Sequence, residues 1–243
     1  MFKIFIIVIF NALLLSGCLG KDDEYGYGYS PSGNEPDPHV DLDQWDLGPV
    51  SVNDLKNITA YCNNRLGGNY ATDKNGEETL SICGINGAVF WTSDFDIDCD
   101  GIRSSTCNEN TDIAYQPRTH LVDSYGGYLD ATKTPYLVVP SISYRFDYQS
   151  AGIKLGAAGI IIYNDQMQYV VFGDTGPEGI IGEASYAAAQ NMGIDPNPTY
   201  GGSDGPVTFI VFTGSEAVLS RAEDHGEAQD IGEKLANRLL QQN

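Results

Sequence analysis

Two carboxylic acids, Asp174 and Glu183, stand on either side of one turn-rich loop in the second half of the chain. Hydrolysis of a glycosidic bond requires such a pair, because one acid protonates the leaving oxygen while the other activates water or attacks carbon. Acids also flank turns in many soluble proteins, so the spacing alone does not decide between catalysis and solvation. We predict Asp174 and Glu183 as the candidate catalytic pair.

The elements around this pair are indicated by local residue types. Residues 169–172 are β-branched and aromatic, which predicts a strand that stops at 173–174. Beyond the loop, residues 180–181 predict a second extended run. Ser185 is placed to cap a short helix over 186–192, which Gly193 closes. The pattern therefore predicts that a strand end and a helix start bring the two acids together.

A run of alternating acids lies upstream, at Asp94, Asp96, Asp98 and Asp100. In an extended chain these side chains project from one face and can bind ammonium groups, so we predict Asp98 and Asp100 as substrate contacts. The run also imitates the start of a calcium loop, but Cys107 stands where a bidentate Glu is needed. An acidic turn pinned by a disulfide is the remaining alternative.

Aromatic residues near the loop add one further candidate. Tyr186 follows the capping serine, and an aromatic ring there can stack on a sugar face. Packing in the core is the alternative for such a residue. The three histidines lie in no recognisable nucleophile context, so no catalytic triad is predicted.

The composition limits the classes of partner. Over 243 residues, 33 acidic and 13 basic side chains give a formal net charge of −20. This charge repels nucleic acids and anionic headgroups and attracts a cationic partner, although solubility outside the cell also explains it. The length favours one well-buried domain with additions. We expect a monomer with no nucleic-acid partner and no cofactor.

The N-terminus has the pattern of an exported protein. An apolar run within residues 1–17 predicts a secretory signal peptide, and the residues LSGC that end at Cys18 resemble a bacterial lipobox, in which that cysteine carries the lipid. A plain signal peptide is the alternative. Residues 18–48, rich in Asp, Tyr, Gly and Pro, predict a flexible tether, and residues 49–243 predict the folded domain. We expect a location in the bacterial cell envelope, through a lipid anchor in the membrane, or outside the cell.

Four cysteines remain after Cys18, an even number that predicts two disulfides in an exported chain. Three connectivities are possible. We favour Cys62 with Cys83 and Cys99 with Cys107, because both pairs close short loops. A zinc site is the alternative, but the chain has no C-x-x-C pair and no ligand-like spacing of histidines, so no metal site is predicted.

The remaining pattern is that of a mainly β protein. Several short apolar runs with turn residues between them predict an all-β barrel, including a hairpin whose turn is Asn164–Asp165 and a late buried strand at 207–212. Residues 215–242 show helical spacing of apolar positions and predict a C-terminal helix region divided at Gly226. This region carries no predicted chemistry.

Four segments, YLVVP at 136–140, GIKLGA at 152–157, VFGDTGP at 171–177 and IGEAS at 181–185, closely resemble the chitosanases of glycoside hydrolase family 75, as does the acidic segment 96–101. The resemblance covers roughly residues 85 to 215. It implies endo-acting cleavage of β-1,4-linked glucosamine polymer with inversion, and it places the family's two essential acids on Asp174 and Glu183.

A second resemblance concerns the fold. The order of acid, Gly-Pro, apolar pair, acid and Ser-capped helix over residues 171–190 is similar to the strand-loop-helix unit of double-psi β-barrels in septal-ring lipoproteins and lytic transglycosylases. It implies a six-stranded double-psi β-barrel-like core with added short helices and a C-terminal helix. By analogy with the barrel enzymes Asp174 is favoured as the proton donor and Glu183 as the base, with the reverse assignment left open.

These observations predict a membrane-tethered, exported endo-chitosanase whose substrate is the cationic polysaccharide chitosan. Two alternatives stay open at this stage. One is a peptidoglycan lytic transglycosylase or related muramidase, and the other is a polysaccharide-binding barrel without turnover. The acid pair and the negative charge favour chitosan.

Overall fold

The computed structural model describes residues 49–243. The predicted signal peptide 1–17, the lipid-bearing Cys18 and the tether that ends at residue 48 lie outside the described residues. Within 49–243, no helix is long and apolar enough to cross a membrane.

The described part of the chain is mainly β. Its strands are β1 (Arg65–Tyr70), β2 (Leu80–Ile85), β3 (Ala88–Asp98), β4 (Tyr136–Pro140), β5 (Ala158–Tyr163), β6 (Gln166–Gly176), β7 (Glu183–Ser185) and β8 (Ser203–Phe212). Its helices are α1 (Val52–Ile58), α2 (Tyr186–Asn191) and α3 (His225–Gln242), with a short 3₁₀ helix over Ser215–Ala217.

Six of the strands close into a barrel in the order β3, β7, β4, β6, β5 and β8, and β8 pairs back onto β3. The pairs β3–β7 and β4–β6 are parallel, whereas the other barrel pairs are antiparallel. β2 and β1 extend the sheet from β3. The predicted fold class, a six-stranded mainly β barrel with added helices and a C-terminal helix, is therefore confirmed.

Apolar side chains fill the interior of the barrel, as expected for strands that are buried on both faces. All five residues of β4 are buried, and the rings of Trp91 and Phe209 stack with their centroids 5.4 Å apart. The predicted hairpin joins β5 to β6, and its turn residue Asn164 has a positive φ of 54°, a conformation that Asn tolerates better than most residues.

β6 does not stop at 173–174 as predicted but continues to Gly176. The apolar pattern ends at Phe172, yet the parallel ladder with β4 supplies partners for three further residues, so pairing extends the strand beyond its apolar part. Leu137 pairs with Phe172 and Val138 with Asp174, which leaves Gly173 as an extra residue in a β-bulge. A bulge re-aims the side chain that follows it. Asp174 is that residue.

The C-terminal region also departs from the predicted pattern. Gly226 does not divide two helices but lies in the first turn of α3. The helix begins where the Asp224 side chain accepts a hydrogen bond from the amide of Glu227, and the Glu227 carboxylate accepts from the amides of Ser220 and Arg221. These caps fix the helix start ahead of the glycine. α3 then packs against β5 and β6.

Both favoured disulfides are present. The Cys62–Cys83 bond joins the segment between α1 and β1 to β2, and the Cys99–Cys107 bond joins the residue after β3 to the following loop. The second disulfide is adjacent in sequence to the predicted substrate contacts Asp98 and Asp100. It therefore ties the end of β3 to the long segment that precedes β4.

Candidate active site

Asp174 projects from β6 directly after the bulge at Gly173, and its residue is only 6 % exposed. One carboxylate oxygen, Oδ1, accepts hydrogen bonds from the backbone amides of His120 (2.9 Å) and Thr175 (2.7 Å). Burial raises the pKa of Asp174, while the two amide donors and the positive charge of Arg118 oppose that rise. The two amides thus stabilise the ionised form of this carboxyl group.

Glu183 is the first residue of β7. Its carboxylate lies against Gly176 at the end of β6, in the space that a side chain at position 176 would occupy. Burial raises the pKa of Glu183 to about 8, and the neighbouring carboxylates of Asp96, Asp100 and Asp174 contribute to the rise. No hydrogen-bond donor among the described residues offsets this effect. The environment therefore favours the protonated form of Glu183 at neutral pH.

Asp98 and Asp100 lie at the end of β3, close to both acids. Asp98 accepts a hydrogen bond from the amide of Asp100 (2.7 Å), and Asp100 accepts from the amide of Gln116 (2.6 Å). Burial and neighbouring acids raise the pKa of Asp98 well above its usual range and that of Asp100 to about 7. The buried Tyr136 hydroxyl donates to the backbone oxygen of Asp100 (3.1 Å), which fixes the chain there.

The acids open into two adjoining cavities. The first, which we call the Asp174 cavity, has a volume of about 510 Å³, and the second, the Glu183 cavity, about 300 Å³. Three residues line both, namely Asp100, Gln116 and Thr175. Because the cavities share these residues, a chain molecule lying across the shared wall would meet both Asp174 and Glu183.

The remaining lining residues differ between the two cavities. The Asp174 cavity is completed by Arg118, Thr119, His120, Tyr128 and Asp174. The Glu183 cavity is completed by Ile97, Asp98, Asp112, Ala114, Gly176, Pro177 and Glu183. The structure thus brings four of the predicted site residues, Asp98, Asp100, Asp174 and Glu183, to one place.

Tyr186 is not among them. It is the first residue of α2, packs against the hydrophobic core and lines neither cavity. Ser185 determines this position, since its hydroxyl group accepts from the amide of Ala188 (3.2 Å) and donates to the backbone oxygen of Thr134 (2.9 Å). These bonds start the helix immediately after β7, and α2 packs against β3, β4, β6 and β7.

The sequence patterns missed the loop that forms the outer wall of the site. Gln116, Arg118 and His120 lie between the second disulfide and β4, in a stretch without strands or helices. The loop is fixed by Asp100 and Asp174, which accept its amides, and by Asp112, which is buried and accepts from the amide of Ala114 (2.8 Å). No periodicity marks such a loop, and the proximity of Cys107 was its only sequence signal.

The site holds two carboxyl groups, Asp174 and Glu183, beside adjoining cavities on a β-barrel, and such a pair of acids is what glycoside hydrolysis requires. The comparison with protein families agrees. Residues 95–241 match the family described as fungal chitosanase of glycosyl hydrolase group 75. The chain belongs to this family, and it is a glycoside hydrolase.

Several fungal relatives of this chain are named as endo-chitosanases. Endo-chitosanase B of Aspergillus oryzae is 29% identical over 187 residues, which cover 67% of this chain and 78% of the relative. An endo-chitosanase of Aspergillus fumigatus is 31% identical over 184 residues, covering 67% and 76%. Endo-chitosanase C of Aspergillus oryzae is 35% identical over 138 residues, covering 55% of this chain and 34% of the relative. The family resemblance inferred from the sequence is thus confirmed, whereas the predicted signal peptide and tether precede the matched residues 95–241.

Proposed function

We propose that this protein is an endo-acting chitosanase that hydrolyses β-1,4 bonds between glucosamine units with inversion, through Glu183 and Asp174. The observation that carries the proposal is the pair of carboxyl groups, Asp174 with two amide donors and Glu183 with neighbouring acids, beside adjoining cavities. The names of the relatives support chitosan as the substrate. The carboxyl groups that line the cavities and the net charge of −20 support a cationic polymer as well.

The environments of the two acids support Glu183 as the proton donor. A group with a pKa of about 8 keeps its proton at neutral pH and can give it to the leaving oxygen. Burial raises the pKa of Asp174, but two backbone amides and the charge of Arg118 oppose that rise and favour its ionised form, which supports Asp174 as the group that activates water. This assignment reverses the one favoured from analogy with other barrel enzymes, because that analogy contained no information on neighbouring charges.

In the proposed reaction, the polymer lies across the wall that the two cavities share. Glu183 transfers its proton to the glycosidic oxygen as the bond to the anomeric carbon breaks. Asp174 takes a proton from a water molecule that attacks the same carbon from the opposite face, which inverts its configuration. Asp98 and Asp100, which line the Glu183 cavity, contact the ammonium group of the sugar unit that lies there.

We further propose that a lipid on Cys18 tethers the mature enzyme in the cell envelope, with residues 18–48 as spacer and 49–243 as the enzyme domain. Two disulfides in the domain are typical of a protein that matures in an oxidising compartment. Metabolic labelling with a fatty acid tests the anchor. Wild-type protein should take up the label, and a Cys18→Ser variant should not.

One assay tests the proposed activity. The purified protein is incubated with chitosan, chitin and peptidoglycan, and new reducing ends are measured. Release from chitosan alone supports the proposal. Cleavage of peptidoglycan would identify a muramidase or transglycosylase instead, and binding without release would identify a non-catalytic polysaccharide-binding barrel. Proton NMR of the first products then tests inversion, since cleavage of β bonds should yield α-anomers.

A further inference from the structure

Arg118 gives the two cavities different charges. It lines the Asp174 cavity together with the acids Asp100 and Asp174. The Glu183 cavity is lined by four acids and, among the residues of the described range, by no lysine or arginine. A sugar unit in the Asp174 cavity therefore faces a guanidinium group as well as acids, whereas its neighbour in the Glu183 cavity faces acids and no guanidinium or ammonium group.

The guanidinium group of Arg118 is available to a ligand. The residue is exposed, and none of the ion pairs within 4.0 Å in residues 49–243 involves it. Its charge nevertheless lowers the pKa of both Asp100 and Asp174, which places it near both acids. An unpaired arginine is unexpected in a site that binds a polycation, because like charges repel.

We propose that Arg118 makes the Asp174 cavity accept an N-acetylated, uncharged sugar unit, while the Glu183 cavity requires a unit with a free ammonium group. This proposal rests on the proposed chitosanase function. An ammonium group in the Asp174 cavity meets the repulsion of the guanidinium group. An acetamido group avoids that repulsion, and its carbonyl oxygen can accept hydrogen bonds from the five N–H donors of arginine.

In the proposed reaction the polymer crosses the wall that the two cavities share, so the two cavities hold the units on opposite sides of the cleaved bond. Cleavage of a partially acetylated polymer should therefore leave one new end enriched in N-acetylglucosamine and the other new end almost free of it. We expect the fraction of N-acetylglucosamine to differ about fivefold between the two new ends. This factor corresponds to the repulsion of two like charges several ångströms apart at the surface of a protein.

Partially acetylated chitosan of known composition is cleaved by the wild type and by three variants, and the sugars at the new ends are sequenced by mass spectrometry. Arg118→Lys is the matched control that keeps the charge, and it should keep the enrichment. Arg118→Gln should reduce the enrichment about fivefold. Arg118→Glu should shift the new end formed in the Asp174 cavity towards glucosamine. Circular dichroism and thermal unfolding verify that each variant is folded.

An alternative role for Arg118 is to keep Asp174 ionised and nothing more. In that case Arg118→Gln shifts the acidic limb of the pH profile upwards while the sugars at the new ends stay as in the wild type. That result overturns the proposal. Identical end compositions in the wild type, Arg118→Gln and Arg118→Glu overturn it as well.

A binding experiment distinguishes a failure of the Arg118 proposal from a failure of the proposed chitosanase function. Fully deacetylated and partially acetylated glucosamine oligomers are titrated into Glu183→Gln protein, with and without Arg118→Gln, by calorimetry. If the wild type releases no reducing ends, the chitosanase proposal fails, but a preference for acetylated oligomers that depends on Arg118 still supports this one. Absence of both turnover and binding overturns both.

Discussion

Asp96 and Glu183 are in-register partners in the parallel ladder between β3 and β7. Partner residues in a ladder project their side chains to the same face, so two carboxyl groups lie next to each other. Asp96 is the first of the neighbouring charges that raise the pKa of Glu183, after burial itself. The strand register therefore raises the pKa of Glu183, the proposed proton donor.

The first prediction concerns Asp96→Asn. Removal of this negative neighbour makes the ionised form of Glu183 less unfavourable, so the pKa of Glu183 should fall from about 8 towards its ordinary value of 4.5. The alkaline limb of the kcat/KM profile should move to lower pH. Asp204→Asn is the matched control, because Asp204 raises the pKa of Asp94 but is not among the neighbours that affect Glu183. An alkaline limb that coincides in Asp96→Asn and wild type would show that Glu183 is not the titrating donor.

The second prediction concerns the two proposed catalytic acids. Glu183→Gln cannot donate the proton and Asp174→Asn cannot activate water, so each should reduce turnover of chitosan at least about 10²-fold in a folded protein. Glu178→Gln is the control, since Glu178 is an exposed acid in the loop between the two residues. Turnover is measured as new reducing ends. A near-normal rate in either variant would remove that residue from the mechanism.

The parts of this site that depend on local chemistry could be predicted from the sequence. Asn164 predicted the turn of the β5–β6 hairpin, because asparagine tolerates the left-handed backbone conformation found there. Ser185 predicted the start of α2, because serine is a common helix cap. In both cases the residues that decide the structure are close neighbours in the chain. The family was recognised, and the acid pair was predicted, from short segments of the same kind.

The parts that depend on distant pairing could not be predicted. Asp174 lies inside β6 because β4 continues to pair past the bulge at Gly173, and no residue of β6 itself indicates this. Arg118 reaches the site because Asp174 and Asp100 accept amides from its loop, across 54 and 16 residues of sequence. The pKa of Glu183 depends on its register with β3. Each of these relationships is a contact between segments far apart in the chain.

The third prediction is a loss of stability as the pH rises. Glu183 has a folded pKa of about 8 against an ordinary 4.5, and Asp100 and Asp94 have about 7 against 3.8. Between these values the folded state holds protons that the unfolded chain has released, so the contribution of these three groups to stability is fully present below about pH 4 and is lost as the pH rises through 7 and 8. Each unit of pKa difference corresponds to at most about 1.4 kcal/mol, and the solvent that reaches Asp94 and Asp100 reduces their contributions below that figure.

Thermal unfolding between pH 5 and pH 8 measures this effect. For a domain of this size, a loss of 1 kcal/mol lowers the Tm by about 2–4 °C. Glu183→Gln should show a shallower decline than the wild type and a higher Tm at pH 8, because it has no carboxyl group to ionise there. Glu178→Gln should decline like the wild type. A wild-type Tm that rises over this range would contradict the raised pKa values.

The fourth prediction compares the two disulfides. Replacing Cys99 and Cys107 by alanine frees the start of the loop that carries Gln116 and Arg118, and it also loosens Asp100 beside it. In the chain-entropy model a loop of this size contributes about 2–3 kcal/mol to the free energy of unfolding. Small displacements in a site cost large factors in rate, so kcat/KM should fall at least about tenfold in the folded variant.

The matched control removes Cys62 and Cys83, which enclose a longer loop and line neither cavity. Their sequence separation is 21 residues against 8 for Cys99 and Cys107, so the free energy of unfolding should fall by at least as much in the control. Its kcat/KM should stay that of the wild type, because no residue of the acid pair or the outer loop is tethered by this bond. Denaturant unfolding and initial rates on chitosan measure the two quantities separately. Equal losses of kcat/KM in the two double variants would show that the Cys99–Cys107 bond stabilises the domain without positioning the outer loop.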